Sequence, residues 1–373
     1  FAAAMMLIGS ISWSGMTAAL DCPQTNYDLR TQAQVDALGA IQCDSVLGDL
    51  IIEYPEDITN LDSLASLTSI GSRLYIENTI NLTNINGLAN LTNVGSDAFI
   101  SNNSTLANLD GLANLSRVDG VLHIRNNPAL INIDGLSNLT SVGMYLYLGY
   151  NESITNIDGL INLVSVEDLV YIEWNDSLTN VNGLASLTNF INLEILGNNA
   201  LTSLDGLAHL TSVPGSLSID GIPANNLNGL RNITSIGSLH IGGIGALTNL
   251  DDLANLTNLN SLSIAGNDVL ADLNGLANIT RLTGDLRIDK NPALTNVDGL
   301  ANITNVHSLA LTRNYALANL DGLAKLTSVG GTLQISDSHV LANLDGLANL
   351  TSIGGSVDIS GNAALTNIDG LAN

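Results

Sequence analysis

Residues 130–151 read LINIDGLSNLTSVGMYLYLGYN, and residues 341–362 read LANLDGLANLTSIGGSVDISGN. Both stretches carry an Asp-Gly-Leu step, a Leu-Thr-Ser-Val or Leu-Thr-Ser-Ile step, an apolar-x-apolar triplet and a closing Asn. The middle position of the Asp-Gly-Leu step recurs at 63, 87, 111, 135, 159, 183, 206, 229, 252, 275, 299, 322, 346 and 370, always 23 or 24 residues apart. A period this tight and this short marks a solenoid, in which each turn buries its apolar face only against its neighbours.

The template also selects the kind of solenoid. The segment between the Asp and the triplet holds too many Gly, Asn and β-branched residues for a stable convex helix. The triplet Leu-x-Ile alternates with period two and suits a short strand, and Leu-Thr-Ser-Val suits a second. Each turn is therefore expected to be two or three short strands joined by tight Gly and Asx turns. Fourteen such turns at the strand spacing would make a rod about 65 Å long.

Composition narrows the function. The 373 residues hold 10 Lys and Arg against 35 Asp and Glu, a formal net charge of −25. That balance excludes a phosphate-binding nucleic-acid partner, which needs clustered cations, and argues against anionic lipid. Apolar residues make up 45% of the chain, too many for disorder.

Residues 1–20, FAAAMMLIGSISWSGMTAAL, form an apolar stretch with small residues at its end, and are expected to be a signal peptide cleaved after Ala19, truncated at its start. A buried helix is the competing reading. Gly and Ser interrupt the run, and no later segment is long and apolar enough to span a membrane, so no direct membrane insertion is expected in this fragment. The two cysteines, Cys22 and Cys43, read as one disulfide in an exported chain, with two free thiols as the alternative. Between them, Thr31 and Gln34 make a capping-box start for a short helix that Gly39 is expected to stop. The chain then divides into the leader at 1–20, a disulfide-pinned cap at 21–45 and a solenoid at 46–373, whose C-terminal end is expected to be incomplete.

Cys22…Thr31-Gln-Ala-Gln-Val…Cys43-Asp-Ser-Val-Leu-Gly-Asp-Leu-Ile-Ile resembles the opening of a receptor L domain, and the repeated Ile-Gly-x-x-Leu-x-Ile…Leu-x-x-Leu-x-x-Leu resembles its body. The resemblance covers roughly residues 22–373. It implies a mainly β, right-handed parallel β-solenoid of leucine-rich type, as found in growth-factor receptors, fungal wall proteins and microbial surface proteins. This chain runs more uniform turns than a single receptor L domain and has no cysteine-rich partner module, so a signalling-receptor role does not carry over.

Three files of repeated residues invite functional readings. The Asn that follows the strand, at 103, 127, 151, 175, 198, 267, 291, 314 and 362, reads as a structural ladder that bonds the next turn's backbone, broken at Thr79, Ile222, Ile244 and Ser338. With Pro214, Pro223, Gly242 and Gly243, those breaks predict that 214–244 is the least regular part of the rod. The Asp file at 62, 110, 134, 158, 205, 251, 298, 321, 345 and 369 could share calcium between rungs, but Asp before Gly is ordinary turn chemistry, and the rod is expected to be stable without calcium. The Thr file, from Thr68 and Thr92 to Thr351, could order water as ice-binding solenoids do; the competing reading is strand propensity with hydroxyls bonded to backbone. No enzyme is visible and no cofactor is expected. The histidines His123, His209, His240, His307 and His339 fall at most one per turn, none with a spaced Ser, Cys or metal-ligand partner.

Function in a repeat protein shows where copies differ on a constant scaffold. The middle residues of the strands run Ile51, Tyr75, Phe99, His123, Tyr147, Tyr171, Glu194, Ser218, His240, Ser263, Arg287, Ala310, Gln334 and Asp358. The early turns are aromatic and the later ones small or polar. Tyr145 is expected to face the same way as Tyr147, and Tyr150 and Trp174 occupy the turn after their strands. Arg73 and Arg125 flank strands on this face and could pair a ligand carboxylate. The candidate site is this set, and the expected function is a secreted or surface recognition or adhesion module for an extracellular glycan or protein. A structural cell-wall spacer is the rival, with ladder stacking alone explaining the rings. The oligomeric state is not legible.

Overall fold

The computed structural model describes residues 20–372. Residues 1–19, which carry most of the expected signal peptide, lie outside the described residues.

Each turn is built from three short pieces. In the turn around Gly135 these are a 3-10 turn at Asp134–Leu136, a two-residue strand at Ser141–Val142 and a four-residue strand at Leu146–Gly149. The four-residue strands and their longer equivalents stack in chain order into one 16-stranded sheet, and the pairs in it are parallel. The two-residue strands form a six-stranded sheet over the early turns and a three-stranded sheet over the late ones. Leu146, Leu148, Ile154, Ile157, Leu160, Leu163 and Val166 are all buried, and their equivalents continue that core from turn to turn.

The Asp-Gly-Leu step, expected as a tight turn, is a 3-10 turn in every copy, because the residue two before it caps the opening backbone N–H. Asp134 N donates to Asn132 Oδ1 at 3.1 Å, and Asp62, Asp110 and Asp158 are held in the same way. The Asp side chains themselves are exposed. The Gly of the step permits close stacking: a Cβ on Gly135 would come within 1.8 Å of Leu109 O in the preceding turn.

The Asn ladder is buried and runs unbroken from Asn103 to Asn198 and again from Asn267 to Asn314. Asn127 Oδ1 accepts from Asn103 N at 3.1 Å and Asn103 Nδ2 at 3.0 Å, while Asn127 Nδ2 donates to Ile100 O at 2.9 Å. The Thr hydroxyls are also engaged: Thr92 Oγ1 donates to Thr68 O at 2.9 Å, and Thr140, Thr257 and Thr351 repeat the contact.

Two expectations are corrected. Gly39 does not stop the first helix, which runs Gln32–Ile41 behind the Thr31–Gln34 capping box and ends on Gln42 in the left-handed region. Gly39 instead lets the helix sit on the first turn, where a Cβ would meet Ser63 O at 2.2 Å. Residues 214–244 are not irregular throughout. They lack a ladder Asn at 222 and 244, as expected, but parts of them lie in the longest strands, Ser212–Asp220 and Ser235–Gly242, followed by Asn258–Ala265. In the latter two, the corner between the strand pieces is one residue shorter: Ile236 and Leu239 are three apart where Val142 and Leu146 are four apart. The two pieces are continuous in these strands, with a register shift between Val213 and Ser216.

At the first end, Cys22 and Cys43 are disulfide-bonded with Cα atoms 5.0 Å apart. Tyr27–Asp28 pairs with Leu50–Ile51, so the segment under the disulfide also supplies the first strand of the long sheet.

Candidate ligand-binding face

The sheet register brings the middle strand residues into one file. Tyr75 pairs with Phe99, Phe99 with His123, His123 with Tyr147 and Tyr147 with Tyr171. Each ring touches the next. Tyr75 and Phe99 are stacked at 5.1 Å between centroids, and Phe99–His123, His123–Tyr147 and Tyr147–Tyr171 meet edge to face at 5.5, 4.6 and 5.3 Å. Such contacts add roughly 0.5–1.5 kcal/mol each beyond area burial. They also occupy ring faces, and all five side chains are half-buried. Tyr145 is half-buried and stands outside this chain of ring contacts.

The ladder ends on a carboxylate. Tyr147 and Tyr171 both donate their phenol hydroxyls to Glu173, Tyr171 at 2.7 Å. Burial first, and the bond to Glu173 second, push both phenols well above the usual tyrosine range. Burial, and then the nearby Arg125 charge, hold His123 below the usual imidazole value.

Tyr150 and Trp174 form a second, exposed pair beside the ladder. Their rings lie 6.5 Å apart at 26°, and they are 37% and 46% exposed. Both hold backbones in the left-handed region, at φ 56° and 50°. The indole leans over the next turn, where a Cβ on Gly197 would come within 2.8 Å of it.

The two arginines differ in what they already touch. Arg73 lies 3.6 Å from Asp97 and 3.5 Å from the Tyr75 hydroxyl. The Arg125 guanidinium sits 4.9 Å over the Tyr150 ring.

The expectation that no histidine has a serine partner is overturned at His240. Its Nε2 lies 2.9 Å from Asp220 Oδ2 and its Nδ1 lies 3.1 Å from Ser263 Oγ. The three residues come from successive turns, so spacing along the chain hides them. The signal was present in the strand register, which puts Ser218, His240 and Ser263 in one file. Ser263 itself is paired in register with a strand on each side. Sequence reading also missed Glu173, which is buried under the two phenols.

A cavity of about 390 Å³ opens between the indole of Trp174 and this Asp220–His240 pair. A second, of about 280 Å³, shares Ser218 and His240 with it and continues to Arg287. Among the described residues no three His, Cys, Asp or Glu side chains converge as a metal site, and no helix is long and apolar enough to cross a membrane.

The Receptor L domain family model matches residues 42–110. A comparison with curated proteins gives no match. Among solved structures the chain is similar to an internalin of Listeria monocytogenes, at 21% identity over 83% of this chain and 85% of that one, TM-score 0.47. It is also similar to a leucine-rich-repeat protein of Leptospira interrogans, at 17% identity over 90% and 95%, TM-score 0.35. A third likeness is to the mouse RP105/MD-1 complex, at 17% identity over 83% and 59%, TM-score 0.42. By its own strand register the chain is a leucine-rich parallel solenoid, and its first turns are similar to a receptor L domain.

Proposed function

We propose that this protein is an exported, non-enzymatic recognition or adhesion module that binds an extended glycan or polypeptide on the outward face of turns two to six. One observation carries the reading. The scaffold residues repeat from turn to turn, yet seven of the eleven aromatics outside residues 1–20 gather on this face, two of them exposed on strained backbone. Export is supported by the Cys22–Cys43 disulfide, since such bonds persist in oxidising compartments. In this reading residues 1–20 are the leader, 21–45 the cap and 46–373 the binding solenoid.

Tyr75, Phe99, His123, Tyr147 and Tyr171 form the spine of the face, with Tyr145, Tyr150 and Trp174 at its rim. Arg73 and Arg125 flank strands on this face, beside Tyr75 and Tyr150, and could pair a ligand carboxylate there. Buried aromatic anchors dominate most interfaces, so Tyr147, Tyr171 and Trp174 should each contribute roughly 2 kcal/mol or more.

The spacer reading has one observation in its favour: the ladder rings spend their faces on one another. A glycan and peptide array decides between the two. Wild type should bind, and a Tyr147→Ala/Tyr171→Ala variant that keeps its far-ultraviolet circular dichroism should bind at least tenfold more weakly. Equal binding by both removes the ladder as the site, and absence of binding by either favours the spacer.

A further inference from the structure

We infer that the cavity beside Trp174 is a cation-accepting subsite, and that its occupant is an arginine side chain of an extended basic polypeptide. The inference rests on the recognition reading above and names the ligand's chemistry.

The cavity's walls set that chemistry. Trp174 supplies an exposed indole on one side, Gly197 and Gly221 line it without side chains, and Asp220 and His240 stand opposite. Glu173 also lines it, and Glu194 sits between Tyr171 and Ser218 in the neighbouring file. No Lys or Arg lines the cavity. Glu173 is engaged by two phenols and Asp220 by an imidazole, so no permanent cation balances either carboxylate here. A guanidinium placed against the indole would gain the attraction of the ring's negative face and a charge-assisted hydrogen bond to Asp220.

The protein already makes this kind of contact one turn away. Arg125 lies over Tyr150, and Tyr150 is the stacking neighbour of Trp174. A ligand guanidinium on the indole would extend the series by one member.

Charge selects among the ligand classes. An anionic group would meet a chain of net charge −25, and neither arginine of this face lines the cavity. A neutral sugar could stack on the indole and donate hydroxyls to the carboxylates, but it would leave their charge uncompensated. A cation gains from both, and long-range attraction speeds its encounter. The two joined cavities run from Trp174 to Arg287. That is about five rungs, or roughly 24 Å at the strand spacing, the length of about seven extended residues. A polypeptide segment fits such a groove better than a single small cation does.

The test uses the full chain with Trp13→Phe, which leaves Trp174 as its only tryptophan. A short glycine-serine peptide carrying two arginines is titrated against it, followed by tryptophan emission and by anisotropy of a labelled peptide. The same peptide with citrulline in place of arginine is the uncharged control, and a neutral linear oligosaccharide is the third ligand. We expect the arginine peptide to shift Trp174 emission and to bind at least tenfold tighter than the citrulline peptide. That preference should shrink as salt is raised, and Asp220→Asn should abolish it while Trp174→Ala abolishes binding. Equal affinity for the two peptides, tighter binding of the oligosaccharide, or indifference to Asp220→Asn would overturn the subsite. A Tyr75→Ala/Phe99→Ala variant separates the two claims, because both rings belong to the ladder and neither lines the cavity. Oligosaccharide binding lost in that variant, with no arginine-peptide binding, refutes the subsite and keeps the ladder. Arginine-peptide binding lost in Trp174→Ala but kept in the double variant does the reverse.

Discussion

Trp174 holds φ at 50° and Tyr150 at 56°, a region that bulky side chains rarely occupy. Such backbone strain costs on the order of 1–3 kcal/mol per residue and persists where the surroundings impose it, often at sites of function. In the next turns the same position is Gly197, Gly221 and Gly243, each with positive φ and no side chain. Trp174→Gly should therefore raise the unfolding free energy, by about 1 kcal/mol after lost packing is counted, while removing ligand binding. Urea melts beside the peptide titration check both parts, and a destabilised Trp174→Gly would mean that the indole is there for packing. The phenols make a separate prediction. Folding raises the Tyr147 and Tyr171 values above the unfolded value of about 10. Above that pH the unfolded chain loses these protons first, so stability falls as pH rises beyond about 10. Thermal melts from pH 8 to 11 should show that decline, and Tyr147→Phe/Tyr171→Phe should flatten it. The site was only half legible at this scale. The rings could be placed because strand alternation fixes which residues point outward. Glu173 and the His240 group could not, because their partners come from other turns and only the stacking register joins them.

Within the turn, buried polar side chains hold the fold together with the leucines. Asn127 satisfies a backbone N–H and a backbone carbonyl of the turn before. Asn127→Ala would leave these buried groups unpaired, at roughly 1–3 kcal/mol for each, and should lower the unfolding free energy by about 3 kcal/mol in a urea melt. Ser338 provides the opposite test. It occupies a ladder position, is buried, and its Oγ has no partner among the described residues. Ser338→Asn should restore the rung and stabilise the chain by about 1 kcal/mol; a loss of stability would show that this turn lacks room for the larger amide. The ladder and the two strand pieces were legible because both repeat as residue types at fixed places. The 3-10 turn was not: Asp-Gly-Leu alone suits several turn types, and the choice depends on Asn caps such as Asn60 and Asn132, two residues earlier. The helix end was missed for a related reason. Gly39 resembles a terminator, but close approach to Ser63 is what requires it. The long strands at 212–265 have no such marker: Val306 and Leu309 show the same three-residue spacing as Ile236 and Leu239, yet there the two strand pieces stay separate.

Across the whole molecule, stability is a sum of turns and of the interfaces between them, so an open end frays first. The Cys22–Cys43 bond closes the first end over Tyr27–Asp28 and the helix behind it. Cys22→Ser/Cys43→Ser should cost about 3 kcal/mol, and hydrogen exchange should rise first in the early turns rather than uniformly. Charge acts on every turn at once. Exposed aspartates recur on successive rungs, as at Asp298, Asp321, Asp345 and Asp369. Two carboxylates about 5 Å apart in water repel by roughly 0.8 kcal/mol before screening, and 0.1 M salt screens beyond about 10 Å. Adding sodium chloride should therefore raise the melting temperature steadily from low ionic strength. Calcium raises the same question in sharper form, because a divalent ion between rungs could do more than screen. It would need six to eight oxygens, and a pair of stacked rungs offers two side-chain carboxylates that point to solvent, with no third acidic, His or Cys group converging among the described residues. The expected result is that calcium, magnesium and sodium chlorides give the same melting temperature at equal ionic strength. A rise specific to millimolar calcium and reversed by a chelator would show instead that the Asp file is a metal ladder, because only a ligand that prefers the folded state shifts the equilibrium by its own concentration.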